Sequence, residues 1–398
     1  MKRPANITRR EVLKRSSVIL AAPTWRGSKP SAKNKAAWEP STDRRVRIAV
    51  AGGGFGTGFQ WHQHPNSVVT AVTDLRPDRR EGLRQRYQCE AAYDSLEELL
   101  KRARDVDAVA IFTEAPNHVR HVSLCMEHGL DVISAVPSCG SLEQAEELSE
   151  VVRRTGRTYM MAETSYFRHY CIAARELFQQ GDFGELFYSE VEYYHPGIGR
   201  PGSPLSHFNG ERTWRYGYPP MLYATHSTGL LIGVTNERFT NVSCLGWGDH
   251  SNSALGENAY GNPFSSASAL LETDTGHQCR CNIFWDGQAE GERAQWFGTN
   301  LSFYMPGSGG QPFRLQGKGA PEWKEIPDYW GRIPSSLEHN QGHGGSHPFL
   351  THEFISALVE ERPPAVGLPE ALAMTVPGIV AHRSALDGGT RMKIPSFA

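Results

Sequence analysis

A glycine-rich stretch, AVAGGGFGTGF at 49–59, follows directly on an apolar run. Gly52 and Gly54 fit the first two positions of GxGxxG, and the third falls on Thr57, with Gly56 and Gly58 beside it. With so little side chain in the way, backbone N–H groups can reach a pyrophosphate at a helix N-terminus, and Phe55 lies in the same loop. The next apolar run ends at Asp74, about 20 residues on, where a carboxylate accepts from ribose hydroxyls. Together they point to a dinucleotide. Asp74 repels a 2′-phosphate and favours NAD. Arg76 is the opposing signal, a cation able to pair with the phosphate of NADP.

A second set of residues suits proton transfer. His226 sits in LYATHSTG at the start of a helical pattern, with Tyr223 one turn before it, so both face one cavity. The unperturbed histidine pKa of ~6.5 fits a general base, the alternative being a satisfied structural histidine. Glu163 ends the run TYMMAE and Tyr166 follows it, at the strand end where α/β proteins bind ligands. Glu163 reads as a substrate ligand or as a cap or ion-pair partner, and either tyrosine as catalytic or as packing. Trp214 in GERTWRYGYPP is a platform for a sugar face or a core residue. His343 and His347 in HGGSH have no acidic neighbour before Glu353, so a loop over the substrate, His343 included, fits better than a metal site. SAVPSCG at 134–140 closes another strand at Pro137 and brings no charge to its end.

These residues need a scaffold, and the pattern around them supplies one. From Arg45, apolar runs alternate with helical patterns through TYMMAE. Runs apolar nearly throughout suit parallel strands covered on both faces, a Rossmann-type doubly wound sheet. After about 165 the runs become longer and alternating, with Asp274-Thr275-Gly276 as a hairpin turn, before the chain returns to helix. The expected organisation is an export signal and linker at 1–43, a dinucleotide-binding domain at 44–165, and a substrate-binding α+β domain at 166–398 with a large, mostly antiparallel sheet.

The chain has 398 residues and a formal net charge of -2. That balance gives no electrostatic case for nucleic acid or an anionic membrane, and no apolar run reaches the ~18 residues of a membrane span. The seven cysteines have no CxxC spacing and read as buried free thiols. TRREVLKRSSVILAAP resembles a twin-arginine export signal, which implies a periplasmic protein; a basic tail on a cytoplasmic protein is the alternative. An exposed sheet face in the second domain favours a homo-oligomer.

From about Arg45 onward the chain resembles the Gfo/Idh/MocA family of sugar and cyclitol oxidoreductases. The resemblance rests on GGGFG at 52–56, Asp74, TEAPNHVRH at 113–121, the strand ending in Val136-Pro137, and FGELFYSEVEYY. It implies hydride transfer between NAD and a carbohydrate, with cofactor contacts from Thr113, Pro116, Asn117, His121 and Pro137. Two departures stand out. The family's dehydrogenases carry Glu-Lys-Pro where this chain has Ala135-Val136-Pro137, and an Asp where it has Leu222. The family's NAD-dependent glycosidases have Val-Pro and an L-Y-x-T-H stretch, which Leu222-Tyr223-Ala224-Thr225-His226 fits. Tyr166 and the HGG segment also resemble theirs, although that branch keeps a Glu at position 135. For that branch the implied chemistry is redox-neutral: oxidation at C3, elimination at C1, water addition and reduction. Loss of the usual Lys and Asp also leaves a non-catalytic sugar- or nucleotide-binding protein open.

Overall fold

The computed structural model describes residues 38–397 other than 200, 249–252 and 339–341. The export segment expected at the N-terminus falls, through residue 37, outside the described residues. The end of the expected linker is anchored: Trp38 packs edge-on against His64 and His352, at ring centroid distances of 5.6 and 5.0 Å.

Six runs form one parallel sheet: β1 (Val46–Ala51), β2 (Ser67–Thr73), β3 (Ala92–Tyr93), β4 (Ala108–Ile111), β5 (Asp131–Ser134) and β6 (Tyr159–Met161). Their order is β3-β2-β1-β4-β5-β6. Ile48, Ala49, Val50 and Ala51 are fully buried, because helices cover both faces and leave no side of β1 to water. The helices are α1 (Pro77–Tyr87), α2 (Leu96–Arg102), α3 (His118–Glu127) and α4 (Leu142–Thr155). Ser95 caps α2, its Oγ accepting from the Glu98 N–H at 3.2 Å. Strand order reverses between β1 and β4, so the C-terminal strand ends part there and open a crevice.

The helix expected at the glycine run is one turn long, Gly53–Gly56. Each interior glycine costs a helix about 1 kcal/mol relative to alanine, and this segment holds too many to continue. The loop therefore presents single backbone N–H groups rather than a full helix dipole.

After α5 (His169–Gln179), a second sheet is built from β7 (Leu186–Tyr194), β10 (Phe239–Trp247), β11 (Ser266–Thr273), β12 (Gln278–Phe284), β13 (Gly291–Gly298), β14 (Leu301–Tyr304), β15 (Arg314–Gly317) and β16 (Met392–Lys393). The order is β15-β14-β13-β7-β12-β11-β10-β16, antiparallel except where β7 runs parallel to β12. Two short strands, β8 (His207–Phe208) and β9 (Glu211–Arg212), form a separate hairpin. Helices α6 (Thr225–Thr235) and α8 (Leu368–Leu386) cover one face of the large sheet. The other face carries Leu245, Trp247 and Leu270, exposed at 65, 58 and 62%.

The change of sheet falls between Met161 and Leu186, but the C-terminal helices do not keep to one side of it. α7 (Ser346–Val359) brings His347 Nδ1 to 2.9 Å from the Gly58 carbonyl. Thr375 of α8 bonds Ser138 at 2.9 Å, and the Met161 N–H donates to the Val366 carbonyl at 2.9 Å. The C-terminal segment therefore clamps the two sheets together around the crevice. All seven cysteines are free and buried.

Candidate active site

The crevice is a cleft of about 850 Å³ that runs from the strand ends of the first sheet to the covered face of the second. At one end the glycine loop forms its floor. Gly52 has φ +104°, and a Cβ there would sit 2.2 Å from the Phe112 carbonyl oxygen, so only glycine fits. Asp74 faces this loop. Its Oδ2 accepts from the Gly53 N–H at 2.6 Å and its Oδ1 from the Arg76 N–H at 2.8 Å. Gly54 and Phe55 line the cleft, whereas Gly56 is buried behind it, where a Cβ would meet Phe112 and Val50 at 3.0 Å.

Arg76 lines the cleft but is already engaged. It pairs with Asp78 at 2.6 Å, and its guanidinium carbon lies 3.4 Å from the Phe208 ring centroid. Arg79, unnoticed in the sequence, is the more available cation. Its guanidinium nitrogen would lie 3.3 Å from a Cβ on Gly54, and it has no carboxylate partner among the described residues. An arginine after a strand-end Asp and a helix-starting Pro is a common surface pattern, so only the fold reveals its closeness to the loop.

The middle of the cleft is set by the ends of β4 and β5. Thr113 Oγ1 and His121 Nδ1 are 2.8 Å apart, and both residues line the cleft with Asn117. Pro116 does not: it is exposed, in the middle of the 3-10 turn Ala115–Asn117 that leads into α3. Pro137 also lies behind the wall, which Ala135 and Val136 form instead. The Pro137 carbonyl is 2.8 Å from His118 Nδ1, and the Thr113 carbonyl is 3.2 Å from Nε2 of the same ring. His118 thus ties the two strand ends together.

At the far end, His226 lines the cleft near the start of α6. Its Nδ1 lies 2.8 Å from Oε1 of Glu163, which also accepts the Ser165 N–H at 2.9 Å. Glu163 is fully buried and does not reach the cleft, so its place is behind the histidine rather than against a substrate. Gly229 makes this possible, since a Cβ there would come within 2.9 Å of Glu163 Cγ. With Nδ1 committed, Nε2 is the nitrogen left for the cleft.

Tyr223 lies beside His226, ring centroids 5.2 Å apart, and lines the cleft. Tyr166 is not brought to it. Its ring packs under Arg175 at 3.8 Å and against Gly233, where a Cβ would stand 3.0 Å from Cδ2. Its place in the 3-10 turn Ser165–Phe167, and the room left by Gly233 on α6, put that tyrosine in the packing layer. Trp214 and His343 line the cleft. His343 sits on the HGG turn at φ +48°, edge-on to Phe55 at 5.0 Å. Three more lining residues escaped the sequence reading: Tyr193, His195 and Arg215. Tyr193 is 4.6 Å from His226 by ring centroids. Tyr193 lies at the end of β7 and His195 just beyond it, after a polar-aromatic run whose pairing partners lie far along the chain. The Arg215 guanidinium lies 4.3 Å from the Trp214 ring and has no carboxylate partner among the described residues.

Electrostatics single out one histidine. Burial holds His118, His121 and His195 below the usual histidine value, and burial with the nearby His347 pushes His343 down to about 3. Burial acts on His226 too, but the Glu163 carboxylate outweighs it and raises the imidazole. Glu163 is correspondingly lowered, since its partner imidazolium outweighs its own burial. The pair therefore favours imidazolium–carboxylate. Tyr193 is raised well above its ordinary value, by burial first, and remains a phenol. Among the described residues no three His, Cys, Asp or Glu side chains are grouped to hold a metal ion.

Residues 46–163 match the family model described as "Oxidoreductase family, NAD-binding Rossmann fold", GFO_IDH_MocA. The NAD binding oxidoreductase from Klebsiella pneumoniae superposes with a TM-score of 0.71 at 16% identity, over 88% of this chain and 100% of that one. The WlbA dehydrogenase from Bordetella pertussis, solved with NADH and UDP-GlcNAcA, gives 0.69 at 17% identity, over 89% and 99%. Fold and site together define the class the chain resembles: residues 46–163 are similar to the NAD-binding Rossmann fold of the GFO_IDH_MocA oxidoreductases, and the chain shares the overall fold of these solved structures.

Within that class, the curated relatives narrow the likeness. A glycosyl hydrolase family 109 protein of Solibacter usitatus is 23% identical, over 98% of this chain and 97% of the relative. Its counterpart in Streptomyces coelicolor is 22% identical, over 88% and 83%. Family 109 protein 1 of Bacteroides fragilis is 27% identical over 38% of this chain, and that match spans 35% of the relative's length.

Proposed function

We propose that the protein is an NAD-dependent enzyme that transfers hydride to and from a carbon of a carbohydrate, with His226 moving the proton. The observation that carries this is the buried Glu163–His226 pair at 2.8 Å, opening onto a cleft whose other end suits a dinucleotide. The glycine floor, Asp74 and the free Arg79 fit NAD; NADP fits less well, because Asp74 would face its phosphate and Arg76 is held by Asp78. Bound NAD supplies the hydride acceptor and donor.

The chain's own residues do the rest. His226 Nε2 takes the hydroxyl proton of the sugar, and Glu163 stabilises the resulting imidazolium. The Tyr193 and Tyr223 phenols flank that ring and orient it toward the sugar. Arg215 offers donors to sugar oxygens beside Trp214, and His343 closes the cleft over Phe55. Ala135 and Val136 keep the strand end apolar where dehydrogenases of this class place a lysine, so His226 has no rival there.

A second reading, redox-neutral glycoside hydrolysis, is favoured by the family 109 relatives and by Val136 and Leu222 in place of Lys and Asp. The discriminating experiment incubates the protein with aryl glycosides and with free sugars in heavy water, without added cofactor. Turnover with deuterium incorporated at C2 supports hydrolysis by elimination. NADH accumulation only when NAD is added supports net oxidation. No turnover of any glycoside or polyol leaves a non-catalytic sugar- or nucleotide-binding protein.

Two further proposals concern setting. The open sheet face around Leu245, Trp247 and Leu270 pairs with a second copy of the chain. The Arg9-Arg10 segment exports the folded, cofactor-loaded protein to the periplasm, and replacing both arginines by lysine retains it in the cytoplasm.

A further inference from the structure

The large exposed hydrophobic side chains are not spread evenly. Leu75, Leu205 and Phe208 are 71, 36 and 39% exposed, and all three line the cleft. Leu75 follows Asp74, the residue facing the adenosine ribose. Leu205 and Phe208 come from the opposite side, on the arm that carries the β8–β9 hairpin. The hairpin is well formed. Asn209 and Gly210 have φ +50° and +82°, as a tight two-residue turn requires. The Thr213 N–H donates to the Ser206 carbonyl at 2.8 Å, and Thr213 Oγ1 to the Leu205 carbonyl at 2.7 Å. At its base, Arg212 donates to the Glu257 carbonyl at 3.2 Å. It is a braced arm carrying apolar side chains to the edge of a polar strand end, where they meet no core of their own.

We infer that this arm is the outer wall of an adenine slot: the adenine ring of the dinucleotide lies between Leu75 and the Leu205/Phe208 pair, beneath a hairpin that must lift before the cofactor leaves. The inference rests on the reading that the cleft takes a dinucleotide. An aromatic base is the occupant that fits an apolar slot one residue from a ribose-binding carboxylate. Arg76 belongs to the slot. Its guanidinium covers one face of the Phe208 ring at 3.4 Å while Asp78 holds it at 2.6 Å. This docks the hairpin onto the first sheet's edge and keeps the arginine from a 2′-phosphate. The arm therefore sets two properties at once, slow cofactor release and preference for NAD over NADP. Slow release is what a redox-neutral cycle needs, because hydride must return to the same sugar.

The test loads the full protein with the ethenoadenine analogue of NAD and follows its fluorescence after dilution into excess unlabelled NAD. Phe208→Ala and Leu205→Ala are expected to speed release by about 10-fold each, the scale on which losing a base-stacking side chain acts. Both variants should weaken ADP-ribose as much as NAD and leave nicotinamide mononucleotide unchanged. Phe208→Leu, which keeps an apolar contact, should fall between. Arg76→Ala should lose cofactor faster without improving NADP, whereas Phe208→Ala, which takes away the ring that holds the arginine, should also narrow the NAD-to-NADP preference. Unchanged release in both alanine variants overturns the slot while leaving the enzyme reading intact. Failure of the unaltered protein to bind any adenine nucleotide overturns both. Because binding is read directly, neither outcome depends on knowing the sugar.

Discussion

Nδ1 of His226 lies 2.8 Å from Oε1 of Glu163, a carboxylate with no exposure to solvent. Glu163 lies just past β6, the last strand of the first sheet, and His226 lies in the first turn of a helix of the second domain, so the pair forms only when the two halves close on each other. It joins a buried acid to the cleft histidine whose pKa is raised.

The pH profile should reflect that pair. His226 is raised above 6.5, so its base form appears as pH rises through a value above 6.5. The acidic limb of kcat/KM for the unaltered enzyme is expected there. Glu163→Gln removes the charge that raises the imidazole and leaves burial to lower it, so the limb should move below 6.5. Activity should fall by roughly 10²–10⁴, the usual contribution of a positioned proton-transfer group. A limb that does not move would mean another group governs proton transfer.

The same pair should be visible in stability. His226 contributes while protonated, an effect present at low pH and lost as pH rises through its raised pKa. Glu163 contributes while ionised, an effect present above 4.5 and lost as pH falls through its lowered pKa. The two overlap between those limits. His226→Ala strands a buried carboxylate and should cost about 3–5 kcal/mol in that window. Denaturant unfolding across pH should show this penalty shrinking in acid, as Glu163 takes up a proton.

The tyrosines should separate cleanly. Tyr166→Phe is expected to keep kcat within about threefold, since the ring is held by Arg175 and Gly233 away from the cleft and loses at most one exchangeable hydrogen bond. Tyr193→Phe and Tyr223→Phe should each lower kcat by at least about tenfold with little change in dinucleotide binding. The reverse order in steady-state kinetics would return Tyr166 to the site.

Arg79→Ala should weaken NAD by about 10- to 100-fold, as expected for one hydrogen bond to a charged group of roughly 1.5–3 kcal/mol. Isothermal titration of protein stripped of its cofactor measures this. Adenosine, which carries no phosphate, should bind both forms equally; a loss there would place Arg79 elsewhere than at the pyrophosphate.

Trp247→Glu and Leu270→Glu put charge on the open sheet face and should halve the solution mass by light scattering. An unchanged mass would mean that another surface holds the copies together, or that there is only one.

Local order was legible wherever a residue's neighbours in the chain decide its environment. The apolar runs of β1, β4 and β5, the Ser95 cap and the Asp274–Gly276 turn all belong to this group. Asn209-Gly210 carried an equally strong hairpin signal, unused because two-residue strands leave no periodicity to accompany it. The glycine run marks a cofactor loop, but the single turn of helix it forms is not legible in it, since several glycines in succession cannot sustain a longer one.

The sequence by itself determined the inventory: a glycine loop, a strand-end Asp74, an apolar 135–136 without its lysine, and a histidine with a tyrosine one turn away. Tertiary structure decided how the inventory is used. Only the packing of α6 against the end of β6, allowed by Gly229 and Gly233, turns Glu163 from a substrate ligand into the partner of His226 and sends Tyr166 into the packing layer. Only the crossing of the two sheets brings Tyr193, Arg215 and Phe208 to one cleft with Asp74 and Arg79. These contacts join residues tens to hundreds of positions apart. Their geometry is set by which backbone can approach which, and no local pattern of residues encodes that.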